Sequence, residues 1–324
     1  MRPYITITSI FIFIATFTLY VIYILKEDSS SLKFFPTIKT LQEPYRITDP
    51  NQRVIFTGDV HGKYTEFKDL IDNKLNGLDE NTLLILLGDF MIKGPDSRKV
   101  VSYILEHKDQ IKCVLGNNDI LVLLAYLNPH LPLSKGRTIH SVRNPLNFTT
   151  DHSFTPQDIS KISARHRQIA KEVGYVNLLA LAQHCSVAIE VELELTRETL
   201  FGAHAGVLPG DFMDHGPHRH THPLSSVKAL TDMKYVDEDD WTHTSREPDT
   251  KHSIKWYKLW DEYGSLYKNV TVFYGHDSRT GLNLRKHTKG LDSGCAKGGE
   301  LSAMEYKYNE KKGKYEHRLV QVDC

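Results

Sequence analysis

Three apolar runs of strand length, each halted by a glycine and then by a small oxygen-bearing side chain, constrain this chain more than any other feature. Val54-Ile55-Phe56-Thr57 stops at Gly58-Asp59-Val60-His61-Gly62. Residues 82–87 stop at Gly88-Asp89-Phe90-Met91-Ile92-Lys93-Gly94, and residues 111–115 at Gly116-Asn117-Asn118-Asp119. Between these runs, Phe67, Leu70, Ile71 and Leu75, then Val100, Val101, Ile104 and Leu105, recur at helical spacing. Strand-helix-strand alternation predicts an α/β fold with a parallel sheet covered by helices. Ligand sites in such sheets lie off the carboxyl ends of the strands. That rule gathers Asp59, His61, Asp89 and Asn117 in one place.

Carboxylate, imidazole and amide oxygen are ligands for hard or borderline divalent cations, and one carboxylate can bridge two ions. A lone aspartate after a strand is equally at home capping a helix. Three strand ends in step favour metal. Further along, residues 120–127 read as an apolar helix, residues 128–155 as an irregular surface excursion and residues 159–173 as a second helix. Residues 186–195 alternate as a strand, and residues 198–203 form another that leads into His204-Ala205-Gly206. The run Asp214-His215-Gly216-Pro217-His218-Arg219-His220-Thr221-His222 reads as a solvated loop. Residues 256–263 suit a short amphipathic helix. Residues 270–274 form a strand that stops at Gly275-His276-Asp277-Ser278-Arg279. Gly290-Leu291-Asp292-Ser293-Gly294-Cys295 then precedes strands over residues 301–306 and 317–322. His204 and His276 thus follow strand ends as well, and they complete a ligand set for two ions.

At 324 residues the chain can hold one large domain with an ample core. Its 40 basic and 40 acidic residues cancel, so no bulk attraction to nucleic acid or anionic lipid is implied. Cys113, Cys185, Cys295 and Cys324 lack paired short spacing, which argues against a zinc knuckle or thioredoxin-like motif. Because Cys113 lies inside an apolar strand, buried free thiols are expected ahead of a single bridge.

The second strong signal is N-terminal. Residues 4–25 carry no charge and are rich in Ile, Phe, Leu and Val. Such a run, at roughly 1.5 Å per residue, crosses a hydrocarbon core of about 30 Å. A cleaved signal peptide would have a shorter apolar region and small residues at its end, where this chain has Tyr23, Ile24 and Leu25. Residues 1–26 are therefore expected to be a retained transmembrane anchor. Arg2 on the near side puts the N-terminus in the cytosol and the domain in a lumen. Sequons at Asn147 and Asn269 are compatible with that orientation. Residues 27–50, with Pro36, Pro44 and Pro50, read as a stalk, and residues 51–324 as the catalytic domain.

Gly-Asp-Val-His-Gly, Gly-Asp-(x)3-Lys-Gly, Gly-Asn-x-Asp, His-Ala-Gly and Gly-His-Asp, in this order, resemble the calcineurin-like metallophosphoesterases. The likeness covers residues 53–324, in the branch shared by phosphoprotein phosphatases and symmetrical diadenosine tetraphosphatases. Lys93-Gly94-Pro95-Asp96-Ser97, Tyr274-Gly275-His276-Asp277 and the segment from Gly290 to Leu301 are most similar to the fungal vacuolar membrane endopolyphosphatases. The resemblance implies a β-sandwich of two sheets flanked by helices. It also implies two divalent ions, zinc first, with manganese, cobalt or magnesium as alternatives. Asp59 and His61 would bind the first ion, Asp89 would bridge, and Asn117, His204 and His276 would bind the second. Lys93 stands where the family carries a phosphate-contacting arginine, and Arg279 is a second cationic candidate.

One departure bears on the substrate. Phosphoprotein phosphatases carry Asp at the position of Ile92 and His at that of Asn118, a pair that protonates the leaving alkoxide. General acid assistance is worth roughly 10²–10⁴-fold. A serine alkoxide needs it, whereas inorganic phosphate or polyphosphate leaves as a weak base. The departure argues for cleavage of a phosphoanhydride, and the resemblance implies inorganic polyphosphate at a vacuolar membrane. A dinucleoside polyphosphate hydrolase and a membrane-tethered pseudophosphatase that binds metal or a partner are the alternatives.

Overall fold

A computed structural model of the chain describes residues 34–129, 146–150, 156–212, 225–267 and 269–324. The expected anchor and the histidine run at 215–222 lie outside them. Among the described residues no helix is long and apolar enough to cross a membrane. The described residues from 36 onward form one compact unit.

Its strands are, in order, β1 (Tyr45–Ile47), β2 (Arg53–Thr57), β3 (Thr82–Leu86), β4 (Ile111–Cys113), β5 (Ala188–Leu193), β6 (Glu198–Ala203) and β7 (Tyr235–Asp237). Then come β8 (Thr244–Ser245), β9 (Ser253–Lys255), β10 (Val270–Tyr274), β11 (Asn283–Leu284), β12 (Thr288–Gly290), β13 (Glu300–Asn309) and β14 (Lys314–Asp323). One sheet has the order β14-β13-β2-β3-β4, the other β1-β5-β6-β10-β12-β11, and β8-β7-β9 make a small third sheet.

The expected parallel unit is present as β2-β3-β4, in register Thr57 to Leu86 and Leu86 to Cys113. It is extended antiparallel by the β13-β14 hairpin. Strand alternation explains the layering. Val54, Phe56, Leu83 and Ile85 join Ile189, Val191, Leu200 and Phe273 of the other sheet in a single buried cluster. Phe56 stacks on Phe273 with centroids 4.0 Å apart. The alternate residues Ile55, Leu84 and Leu86 are fully buried as well, together with Phe67, Leu70, Val100, Val101 and Ile104 of the intervening helices. Across the outer face of the six-stranded sheet, Phe201 meets Phe212 edge-on, and Phe212 meets Trp260. Trp260 Nε1 donates to the Val207 carbonyl at 2.7 Å.

The structure differs from expectation in three respects. Residues 36–47, part of the expected stalk over 27–50, pack into the domain: Ile38 is fully buried and bridged to Phe148, Leu41 is bridged to Ala188, and β1 pairs with β5. The expected helix over 159–173 is two pieces, Pro156–Ile159 and Ala164–Val173, because Ser163 caps the second by accepting the His166 N–H. The cysteines are not free thiols but two disulfides, Cys113–Cys185 and Cys295–Cys324. The first joins the end of β4 to the residue after helix Tyr175–His184, across the Val114–Ser186 bridge. The partners lie 72 and 29 residues apart, so no local spacing announces them. On loop length alone they are worth about 4 and about 3.5 kcal/mol.

Candidate metal centre and active site

Both sheets deliver strand ends to one point. Asp59 and His61 follow β2, Asp89 follows β3, and Asn117 opens helix Asn117–Leu127 after β4. His204 follows β6, His276 follows β10 and Asp292 follows β12. Helix Asn117–Leu127 starts earlier than its apolar spacing suggests, because Asp119 accepts the Gly116 N–H at 3.0 Å. Five of the seven described non-glycine residues with positive φ are here: His61, Asp89, Ile92, Lys93 and His276. Left-handed backbone at such residues is costly and is retained where a site needs it. Gly116 and Gly275 permit the approach of the strands, since a Cβ would be driven into Asp89 at the first and into Asp59 at the second.

Distances within the cluster are short. His61 Nε2 lies 3.4 Å from Asp59 Oδ2 and 3.8 Å from Asp89 Oδ2. Ligand atoms of Asp59, His61 and Asp89 all lie within 4.8 Å of one another, and all three residues are buried. His204 Nε2 lies 3.5 Å from Asp89 Oδ1, 3.2 Å from Asn117 Oδ1 and 3.2 Å from His276 Nδ1. The Asp59 carboxylate is held by the His276 N–H at 3.0 Å.

The ring nitrogens facing away from the cluster settle its chemistry. His204 Nδ1 is 2.7 Å from the Leu87 carbonyl, His61 Nδ1 3.3 Å from that of Met91 and His276 Nε2 3.2 Å from that of Asp232. A carbonyl only accepts, so each of these nitrogens carries the proton. With the rings neutral, the opposite nitrogens, His61 Nε2, His204 Nε2 and His276 Nδ1, bring lone pairs into the cluster. Lone pairs this close repel unless a proton or a metal cation lies between them. Such an outer shell of carbonyls is what orients histidine ligands. The donor set fits one ion among Asp59, His61 and Asp89, and a second among Asp89, Asn117, His204 and His276.

Charges follow from this packing. Burial works against an ionised Asp89, yet positive charge on His204 and His61 when those rings are protonated, then Lys93 and the Asn118 amide, hold it well below the usual carboxylate range. Burial, then His204, keeps His276 well below the ordinary histidine value. Lys93 Nζ sits 2.5 Å from His61 Nε2, at the mouth of the cluster. Asn118 is fastened to Asp89 twice, by its backbone N–H to Oδ1 at 2.9 Å and by its side-chain NH2 to Oδ2 at 2.5 Å. Ile92 is buried, its N–H donating to Ser97 Oγ. Arg279 is exposed and donates to both carboxylate oxygens of Glu247, at 2.9 and 3.2 Å. The cluster thus gathers the six expected ligands with Lys93 and Asn118, while Arg279 is held at the surface.

Sequence reasoning gave no role to two carboxylates. Asp119 is pushed up to about 7 by burial and by Asp89. Asp292 is pushed up to about 7 by burial and by Asp59. Asp292 had a usable signal, an aspartate two residues past a strand-end glycine, close to the pattern that marked Asp59. A carboxyl raised in the folded chain gives its full stability below its unfolded value, near 4, and loses it as pH rises through about 7. In chelator, Asp292→Asn is therefore expected to gain on the native chain by about 2 kcal/mol between pH 5.5 and 8.5, read by denaturant unfolding. An equal difference at both pH values would remove Asp292 as the buried acid.

Comparison with known proteins agrees with this geometry. Residues 52–293 match the calcineurin-like phosphoesterase family. The chain is 51% identical over 321 residues to the zinc-dependent endopolyphosphatase of Saccharomyces cerevisiae, covering 98% of this chain and 96% of that one. It is 26% identical to the symmetrical bis(5'-nucleosyl)-tetraphosphatase of Wigglesworthia glossinidia brevipalpis, covering 77% of this chain and 94% of that protein. The crystal structure of a candidate diadenosine tetraphosphatase superposes with a TM-score of 0.55 at 21% identity, over 88% of this chain and 98% of the other, a likeness of fold. With its strand-end ligand set and this match over most of its length, the chain belongs to the calcineurin-like phosphoesterase family.

Proposed function

We propose that this protein is a membrane-anchored, two-metal phosphohydrolase that cleaves phosphoanhydride bonds of inorganic polyphosphate. The observation that carries the chemistry is the convergence of His61 Nε2 and His204 Nε2 on the Asp89 carboxylate, each ring backed by a carbonyl on its other nitrogen. The substrate is taken from the relative that is 51% identical over nearly the whole chain, and zinc from that relative's name.

Two divalent ions held there would polarise phosphoryl oxygens and make a water nucleophilic at neutral pH. The protein's own contribution is positional. Asp89 is fixed from both oxygens by Asn118, and Asp59 is fixed by the His276 N–H. Lys93 brings an ammonium to the mouth of the site, where it can neutralise charge on the phosphoryl group. No acid pair stands at 92 and 118, so the leaving group must depart without a proton from those positions. Polyphosphate meets that requirement.

The test is a panel of long-chain polyphosphate, diadenosine tetraphosphate and a phosphoserine peptide, each with zinc, manganese, cobalt or magnesium. Polyphosphate is expected to be cut fastest, with fragments of intermediate length. Preference for diadenosine tetraphosphate would move the function to dinucleoside polyphosphate hydrolysis. No turnover of any of the three at full metal occupancy would make the chain a pseudophosphatase.

The anchor at residues 1–26 and a lumenal, vacuolar domain belong to the same proposal. Two disulfides support an oxidising compartment. Both sequon asparagines are exposed, Asn147 beside Phe148 and Asn269 just before β10. Endoglycosidase is expected to lower the mass of the protein from a membrane fraction. Digestion of the domain by protease added to sealed vesicles with their cytosolic face outward would reverse the orientation.

A further inference from the structure

His166 lies outside every motif above, on helix Ala164–Val173, and is buried. Its hydrogen bonds form a chain with one allowed direction. Ser163 N–H can only donate, and it lies 3.0 Å from His166 Nδ1, so Nδ1 is the unprotonated nitrogen. The Ser163 hydroxyl lies 2.8 Å from the same nitrogen. The proton is therefore on Nε2, which sits 3.2 Å from Asn118 Oδ1. With its oxygen engaged there, the Asn118 amide turns its NH2 to Asp89 Oδ2 at 2.5 Å. Burial keeps the imidazole neutral, lowering it to about 4, so one tautomer serves across the working pH range. The same helix is pinned to the other side of the site, where Arg165 donates to the carbonyl of Gly94, next to Lys93, at 2.9 Å.

We propose that His166 is a positioning residue: by donating from Nε2 to Asn118 Oδ1, it fixes the rotation of the Asn118 amide and so the Asp89 carboxylate at the reaction centre. A free amide could present either end to Asp89, and its oxygen there would repel the carboxylate. The inference rests on the reading of this cluster as a hydrolytic centre.

His166 has two jobs that different side chains separate. An asparagine at 166 places its oxygen where Nδ1 was and keeps the acceptor for Ser163 N–H, but it falls short of Asn118. A glutamine places an NH2 where Nε2 was and reaches Asn118, but it gives up the acceptor for Ser163 N–H, the side-chain half of the helix cap. The test measures melting temperature, kcat and KM for the full chain and for both variants, with polyphosphate and with p-nitrophenyl phosphate.

His166→Asn is expected to keep the native melting temperature and KM while kcat falls by about 10–100-fold, the range for an outer-shell ligand partner. His166→Gln is expected to melt lower yet keep kcat within about threefold. The two readouts then rank the variants in opposite orders. Against Asn118→Ala, which removes the amide, His166→Asn should cost nothing further. A kcat that follows melting temperature, or a His166→Asn loss that multiplies with that of Asn118→Ala, would overturn the proposal. A native chain that turns over the nitrophenyl ester but not polyphosphate would instead overturn the substrate, and the ester would still report on His166.

Discussion

Asp89→Asn is expected to lower kcat on polyphosphate by more than about 10³-fold while the far-UV spectrum stays native. Asp89 lies near the inward nitrogen of a histidine in each half of the cluster, 3.8 Å from His61 Nε2 and 3.5 Å from His204 Nε2. It is held ionised against its burial by positive charge on those two rings when protonated, and by Lys93. An amide there removes the charge, and it turns an NH2 toward the NH2 of Asn118 or the lone pair of a histidine. Loss of a single well-placed donor at a reaction centre already costs roughly 10²–10³-fold, and losing the bridge between two ions costs more. The fold should persist, because the Phe56–Phe273 core lies between the sheets and not at their ends. Zinc reports the same change without catalysis. An ion at a hundred times its Kd stabilises the native chain by about 2.7 kcal/mol, and that shift should shrink in Asp89→Asn. A variant with native turnover would show that Asp89 is not the bridge.

The second large effect concerns the leaving group. With Ile92 buried and the Asn118 amide committed to Asp89 and His166, neither position can supply a proton. Rates are expected to fall steeply as leaving-group pKa rises. Phosphoanhydrides and nitrophenyl esters should outrun alkyl phosphates by more than the factor of roughly 10²–10⁴ that a general acid normally provides. Single changes at 118 also disturb the hold on Asp89, so the informative quantity is the coupling between positions. Ile92→Asp with Asn118→His should show favourable coupling for alkyl phosphates, since the carboxylate would orient and charge the imidazole. Coupling for polyphosphate should be near zero. Native turnover of a phosphoserine peptide at the polyphosphate rate would mean that another group is the acid.

What could be read in the sequence follows from where the backbone does the work. Gly58-Asp59, Gly88-Asp89 and Gly116-Asn117 were legible because a strand end, a turn and a polar side chain are all local. His204 and His276 were legible on the same grounds. The second sheet was a matter of family resemblance, since alternation along residues 186–195 cannot say which face meets Phe56. Residues 36–47 looked like a linker because a three-residue parallel strand carries no period, yet β1 and Ile38 pack into the domain. The disulfides were missed because their partners meet only through tertiary structure. His166 was invisible because its role depends on a helix laid across Asn118, some 48 residues away. Arg279 shows the converse, a cation beside a ligand in sequence that the structure pairs with Glu247.

The central claim is that polyphosphate is hydrolysed by two ions in this one cluster. The most direct measurement is a zinc titration of the chelated protein, with bound metal per chain and shortening of long-chain polyphosphate read on the same samples. The account predicts no cleavage without metal and turnover that rises as occupancy approaches two ions per chain. Cleavage by the metal-free protein, or none with both ions bound, would contradict it.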